Sequence, residues 1–122
     1  MRILLPALLL ALPAATAAQP PAATVEIALS SFDFTPSAIH LRAGAPVVLH
    51  LVNNGSGGHN FSAPEFFAAA RDVSGPVDHG KVEVGGHRSV DVRLVPAAGH
   101  YRLRCTHMMH TAFGMSGEIT VD

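Results

Sequence analysis

Residues 105–115 read CTHMMHTAFGM, and this stretch holds the only cysteine of the chain beside two histidines and three methionines. The residues before it alternate, because Leu103 and Cys105 fall on one face of a strand while their neighbours fall on the other. Ile119 and Val121 alternate in the same way after it and predict a last strand. The stretch is therefore predicted to be a loop that joins two neighbouring strands, with the cysteine side chain pointing inward.

Three different metal donors follow one another at regular spacing in this loop: the thiol of Cys105, the imidazole of His110 and the thioether of Met115. A second imidazole comes from His59, which follows the glycine-rich stretch 53–58 (NNGSGG). Two histidines and one cysteine in a trigonal set, with a weak axial methionine, form the donor set of a blue copper site. The loop of a β-sandwich would carry its three donors to one end of the molecule, where His59 can meet them.

The rest of the chain alternates like strands. Residues 25–29 predict a first strand, and the nearly continuous apolar run 47–52 predicts a central one. Phe32 and Phe34 continue the apolar pattern one residue out of phase, so a bend or bulge is expected near Ser31. Seven or so short strands with Gly- and Pro-containing turns in about a hundred residues indicate an all-β, antiparallel sandwich.

One helical segment interrupts the strands. Ser62 and Glu65 have the spacing of a capping box, and residues 66–72 have helical composition. The sequence therefore predicts a short helix between the strand that bears the first histidine and the strand that leads into the cysteine.

The first residues have the pattern of an export signal. Arg2 gives a positive start, an apolar run follows, and small residues offer a cleavage point after Ala17 or Ala18. The run is too short to span a bilayer, so we expect a cleaved signal peptide over residues 1–18 and no stable membrane insertion. A thiol in an oxidising compartment is a liability unless something occupies it, and a bound metal is one such occupant.

Residues 19–23 form a predicted Pro/Ala linker, and residues 24–122 are the length of one ordinary domain. Without the signal peptide, seven basic and nine acidic residues remain. A protein so close to neutral lacks the basic face that nucleic acid requires. We therefore expect a periplasmic monomer that binds no nucleic acid.

Three pieces of the sequence resemble the cupredoxins, the small blue-copper family that includes plastocyanin and azurin. Residues 32–44 resemble the opening strands of that family, and residues 53–61 resemble the stretch with the first histidine. Residues 99–117 resemble the ligand loop with its flanking strands. The resemblance covers most of the predicted domain and implies a Greek-key β-sandwich that holds one type 1 copper ion.

Carried over residue by residue, the resemblance implies copper ligands at His59, Cys105, His110 and Met115. It also implies that the residue after the first histidine ties its strand to the residue after the cysteine, as hydrogen bonds behind the ligands orient them and tune the metal. In this chain those two residues are Asn60 and Thr106.

The loop contains further donors that set this chain apart. His107 is interpreted as an exposed loop histidine rather than as a ligand. An apolar rim beside His110 is the expected docking surface for an unidentified redox partner protein. A landing site for Cu(I) is the alternative use of its methionines, because thioethers select Cu(I). The predicted rim comprises Met108, Met109, Ala112 and Phe113.

Four functions compete for this donor set. The first is a soluble one-electron carrier that cycles between Cu(I) and Cu(II), and the second is a copper-binding protein for tolerance or delivery. A copper enzyme such as a nitrite reductase or multicopper oxidase is disfavoured, because those resemblances need an imidazole next to the cysteine and Cys105 lies between Arg104 and Thr106. A zinc site stays a minor alternative with His107 as fourth ligand, since structural zinc prefers four strong donors.

Overall fold

The computed structural model describes residues 10–15, 21–108, 110 and 112–122. Within that part of the chain, two five-stranded sheets pack face to face, with one short helix at their side. The strands are β1 Ala23–Ser30, β2 Asp33–Thr35, β3 Ala38–Leu41, β4 Val47–Asn53, β5 His59–Ser62, β6 Arg71–Ser74, β7 Lys81–Val84, β8 Ser89–Val95, β9 Gly99–Arg104 and β10 Ser116–Val121, and the helix is α1 Pro64–Ala69.

One sheet has the strand order β2-β1-β4-β8-β6 and the other has β3-β10-β9-β5-β7. The predicted sandwich is confirmed, and the structure adds two parallel pairings, β1 with β4 and β3 with β10. In most of the strands, alternate residues point inward and close the core between the sheets, as the period of two predicts. The exceptions are β5, which is buried throughout, and β6, which is exposed throughout. Fully buried members of this core include Ile27, Leu49, Phe61, Leu94, Leu103 and Ile119.

The strand order of the second sheet brings the predicted metal donors together. β9 lies between β10 and β5, so the strand that leads into Cys105 has the strand that begins with His59 on one side. On its other side is the strand that follows Met115. The loop 105–115 thus connects two neighbouring strands, as predicted, and its donors lie at the same end of the sandwich as His59.

Two predictions about the helix, its cap and its extent, were wrong. The helix begins after Ala63 with Pro64 in its first turn and has no side-chain cap, because Ser62 is the last residue of β5 and is held in sheet register with Lys81. The helix ends at Ala69, because β6 begins at Arg71 and pairs there with β8. Residues 70–72 are therefore not helical. Proline suits a first helical turn, since it has no N–H to leave unsatisfied there.

The bend or bulge expected near Ser31 is a tight turn. Ser30 pairs with Asp33, so β1 and β2 form an antiparallel hairpin with Phe32 at its tip. The change of phase in the apolar pattern therefore comes from a reversal of chain direction and not from an extra residue in one strand.

The predicted signal peptide and its cleavage point lie largely outside the described residues, as do residues 19 and 20 of the predicted linker. β1 begins at Ala23, the last residue assigned to that linker. Among the described residues, no helical segment has the length and hydrophobicity that a membrane span requires.

Candidate metal centre

The four predicted ligands come from the ends of three neighbouring strands. His59 is the first residue of β5, Cys105 directly follows β9, and Met115 directly precedes β10. His110 lies between the last two, in the loop. The backbone closes the loop on itself, because the N–H of Cys105 donates to the carbonyl of Met115 at 3.1 Å and the N–H of Met115 donates to the carbonyl of His110 at 3.0 Å.

Three donor atoms converge at this end of the sandwich. The Nδ1 atoms of His59 and His110 are 3.1 Å apart, and Cys105 Sγ is 3.3 Å from Nδ1 of His110 and 4.0 Å from Nδ1 of His59. All three lie within 4.8 Å of one another. Donors that bind one small ion at about 2.0–2.3 Å stand roughly 3–4 Å apart, so the arrangement fits a single metal ion in a trigonal set.

Met115 is the fourth predicted ligand, and its side chain is completely buried. Its backbone bonds to Cys105 and His110 tie it to two of the three converging residues. A thioether is a weak donor that suits copper and is a poor fourth ligand for zinc. The chemistry of the donor set is therefore that of one type 1 copper ion.

Burial keeps one of the predicted ligands, His59, in its neutral form. His59 is 1% exposed and Cys105 is fully buried. Desolvation lowers the pKa of His59, and the nearby rings of His110 and His107 lower it further. A lowered pKa keeps this imidazole neutral and able to donate its lone pair at neutral pH.

Asn60 connects the two ligand-bearing segments, as the sequence predicts. Its side-chain amide donates to Oγ1 of Thr106 at 2.8 Å, and its side-chain oxygen accepts from the backbone N–H of Thr106 at 2.9 Å. Its own backbone N–H donates to Sγ of Cys105 at 3.4 Å. One buried residue thus fixes both the position of the sulfur and the start of the loop.

Glu83, on β7, is a contact that the sequence did not reveal. One of its carboxylate oxygens accepts from the side-chain amide of Asn60 at 3.0 Å, and the other is 2.7 Å from Nε2 of His107. Burial alone would raise the pKa of Glu83, but the hydrogen bonds from Asn60 and His107, with the charges of His107 and Lys81, lower it overall. Only the register of β7 on β5 places Glu83 opposite Asn60, and that register is not readable from a single sequence.

His110 marks where the site meets the surface. It is half-buried, and the ring of Phe32 lies edge-on to it with the ring centroids 5.2 Å apart. Phe32 in turn packs on Phe113 at 5.0 Å. Phe113 and Met108 are exposed by 61% and 88% respectively.

The predicted rim is therefore apolar and accessible at three of its four positions: Met108, Ala112 and Phe113. Met109 lies outside the described residues. The sequence did not assign Phe32 to this surface, because the apolar pattern near Ser31 does not show where the turn between β1 and β2 brings the side chain.

A family model described as a cupredoxin-like domain matches residues 2–121 of the chain. Among solved structures, auracyanin B is 24% identical with a TM-score of 0.62, over 87% of this chain and 93% of that one. Auracyanin A, a "blue" copper protein from Chloroflexus aurantiacus, is 21% identical with a TM-score of 0.59, over 84% of this chain and 100% of that one.

The fold also occurs as part of larger proteins. The McoA multicopper oxidase from Aquifex aeolicus is 17% identical with a TM-score of 0.66 over 88% of this chain, which spans only 31% of the oxidase. No curated protein sequence matches this chain. At these identities the structural similarities show a shared fold, and function has to be inferred from the geometry of the donors.

Proposed function

This chain belongs to the cupredoxin-like domain family, and we propose that it is a periplasmic one-electron carrier with a single type 1 copper ion. The observation that carries the proposal is the convergence of Cys105 Sγ with the Nδ1 atoms of His59 and His110 at the end of a rigid sandwich. Bound at such a site, copper supplies a reversible Cu(II)/Cu(I) couple. The chain itself has to hold the donors in place and to provide a surface for the redox partner.

The chain holds the donors in place in both oxidation states. His59 is fixed by β5, and Asn60 links that strand to the residue after Cys105. Because the donors are held by paired strands and buried hydrogen bonds, little has to move when the charge at the site changes. A small structural change on oxidation or reduction is what favours fast electron transfer.

Electrons would enter and leave through His110. His59, Cys105 and Met115 are buried, whereas His110 is half-buried and bordered by exposed apolar side chains. We propose that the surface formed by Phe32, Met108, Ala112 and Phe113 docks a redox partner protein over the edge of this imidazole. A small contact area gives weak binding, which suits a partner that must leave quickly.

Catalysis is not part of the proposal. An enzyme of the multicopper class has to pass its electron to a second metal, and the residues beside Cys105 offer no imidazole for that step. Arg104 is exposed on the outer face of β9, and Thr106 is engaged by Asn60. The domain also spans less than a third of the multicopper oxidase that it resembles in fold.

The test is to add one equivalent of Cu(II) to the purified metal-free protein and record visible absorption and EPR on the same sample. An intense thiolate-to-copper band together with a narrow copper hyperfine splitting is expected. A pale sample with the EPR signal of ordinary tetragonal copper would reject the type 1 site.

A second candidate function is copper tolerance or delivery, and the exposure of Met108 is the observation that favours it. A thioether that is 88% exposed next to the site is available to receive or pass on Cu(I). The two functions differ in metal exchange. A carrier retains its copper through many redox cycles in the presence of a Cu(I) chelator, whereas a delivery protein loses Cu(I) to it.

A further inference from the structure

A third imidazole lies directly beside the metal centre. The ring of His107 stacks on the ring of His110 with centroids 5.6 Å apart and an angle of 29° between the planes. It also lies over Gly58, where a Cβ atom would come within 3.2 Å of Cε1 of His107. The ring is close enough to the centre that, after burial and His110, it is a cause of the lowered pKa of His59.

Such a ring is a competitor for copper. Imidazole is a stronger donor to Cu(II) than the thioether of Met115, and Cu(II) with additional nitrogen donors prefers a tetragonal arrangement. His107 is two residues from Cys105, so a change in its side-chain rotation and a small movement of the loop would bring a third nitrogen toward the ion. Something has to hold this ring away if the site is to keep two imidazoles.

The carboxylate of Glu83 is placed to do so. A carboxylate only accepts hydrogen bonds, so the contact of 2.7 Å to Nε2 of His107 makes that nitrogen the donor. The proton on Nε2 removes that nitrogen as a metal donor, but Nδ1 keeps its lone pair. What keeps Nδ1 from the ion is the position in which the hydrogen bond to Glu83 holds the ring, apart from the three donors that converge. Glu83 is itself anchored, because its other oxygen accepts from the buried amide of Asn60 and its backbone belongs to β7.

We propose that Glu83 is a positioning residue that keeps His107 outside the copper coordination sphere and so preserves the two-histidine, one-cysteine centre. This inference rests on the proposed function, since it concerns the geometry of the copper that the site would hold. It assigns His107 no role as a ligand in the native protein.

The test compares four proteins loaded with one equivalent of Cu(II): the native chain, Glu83→Ala, His107→Ala and the double variant. The native chain and His107→Ala are expected to give the same narrow EPR hyperfine splitting. Glu83→Ala is expected to lose the narrow splitting and part of the thiolate band, because His107 is released toward the ion. The double variant is expected to recover both, because no competing imidazole remains.

Recovery of the native spectrum in the double variant distinguishes a positioning role of Glu83 from a general loss of stability. If Glu83→Ala keeps the native spectrum, or if the double variant stays as altered as Glu83→Ala, the proposal is wrong. Glu118→Ala, which removes an exposed glutamate from β10 of the same sheet, is the matched control and should leave the spectrum unchanged. Glu83→Gln keeps the shape of the side chain and serves if the alanine variant fails to fold, with a smaller loss in the same direction.

A measurement on the metal-free protein keeps this inference apart from the proposed function. In histidine-selective NMR, the Nε2 proton of His107 is expected to exchange more slowly with water in the native chain than in Glu83→Ala. Equal exchange in both would overturn the proposal even if the native protein forms a type 1 site. A native protein without a type 1 spectrum would instead reject the function and leave the hydrogen bond measurable.

Discussion

His59 and His110 offer the same donor atom to the same centre from two different kinds of structure. His59 starts a strand with β7 and β9 on either side and is 1% exposed, whereas His110 belongs to the loop and is half-buried among aromatic side chains. Strand pairing in the sheet fixes the position of His59. The position of His110 is fixed by its contact with Phe32 and by backbone hydrogen bonds within the loop 105–115. A strand supplies a fixed donor, and a loop supplies a donor that can also face a partner.

The difference divides the centre into a buried side and an accessible side. Asn60 and Glu83 support the buried side with hydrogen bonds to side chains on neighbouring segments. Apolar contacts surround the accessible side. Changes on the buried side should therefore alter the metal itself, and changes on the accessible side should alter the exchange of electrons with little effect on the metal.

The largest effect is expected from Cys105→Ser, because Cys105 is the donor that both sides share. A hydroxyl does not form the copper–thiolate bond, so the intense visible band should be lost completely while the circular dichroism of the sandwich is retained. Visible absorption after addition of Cu(II) measures the outcome. Thr106→Ser, next to it, keeps the hydroxyl that Asn60 contacts and should keep the colour. An intense band in Cys105→Ser would exclude this sulfur from the site.

Phe113→Lys should affect the accessible side alone. Two copies that exchange an electron through their His110 edges would bring two added positive charges together, and the self-exchange rate should fall about tenfold at low salt. NMR line broadening in mixtures of the Cu(I) and Cu(II) proteins measures this rate. The reduction potential and the visible spectrum should not change.

Val73→Lys is the matched control for that experiment, because Val73 is an exposed apolar residue, 38% accessible. It lies on β6, at the opposite edge of its sheet from the β1–β2 hairpin that carries Phe32. The substitution adds the same charge away from the rim and should leave self-exchange nearly as in the native protein. High salt should restore much of the rate in Phe113→Lys, since it screens exposed charges. Equal rates in the two variants would show that electrons do not cross at this surface.

The sequence predicted the parts of the site that depend on local pattern. Alternation placed Cys105 on the inner face of its strand, and a loop between adjacent strands had to return Met115 to the same end. The pairing of Asn60 with Thr106 followed from the family resemblance and is present. These features need only knowledge of which residues are adjacent along the chain or along one loop.

The features that were missed depend on register between strands distant in sequence. Glu83 meets Asn60 only because β7 pairs with β5 in one particular alignment. Phe32 reaches His110 only because β1 and β2 turn tightly, and the same apolar pattern is compatible with a bulge. Ser62 has the spacing of a helix cap but is taken up by the sheet, which shows how tertiary pairing overrides a local pattern.

Met115→Leu tests the fourth donor, which lies on the buried side. Leucine keeps the apolar volume and removes the sulfur, so copper should remain bound. A weak axial donor favours Cu(II) over Cu(I), and its removal should raise the reduction potential. A tenfold preferential loss of Cu(II) affinity corresponds to about 59 mV for a one-electron couple. Voltammetry measures this, and Met108→Leu, at the exposed rim, is the matched control. An unchanged potential in Met115→Leu would remove Met115 from the donor set.

The smallest effect concerns the metal-free protein and separates His59 from the exposed histidines. Burial first, and then His110 and His107, lower the pKa of folded His59 below its ordinary value near 6.5. Between the two pKa values the unfolded chain binds more protons than the folded one. The stability that depends on neutral His59 is therefore fully present above about pH 6.5 and is lost as the pH falls toward the folded pKa.

Urea unfolding of the metal-free protein between pH 7.5 and 5.0 should show this loss, at a slope that for one group cannot exceed about 1.4 kcal/mol per pH unit. His59→Gln should flatten the slope, because no proton is then taken up at that position. His40→Gln, on the exposed face of β3, should leave the slope as it is. The lowered pKa of Glu83 acts only below about pH 4.5, so its effect falls in a separate range. Equal slopes in all three proteins would mean that the buried side of the centre is not the part of the fold that acid destabilises first.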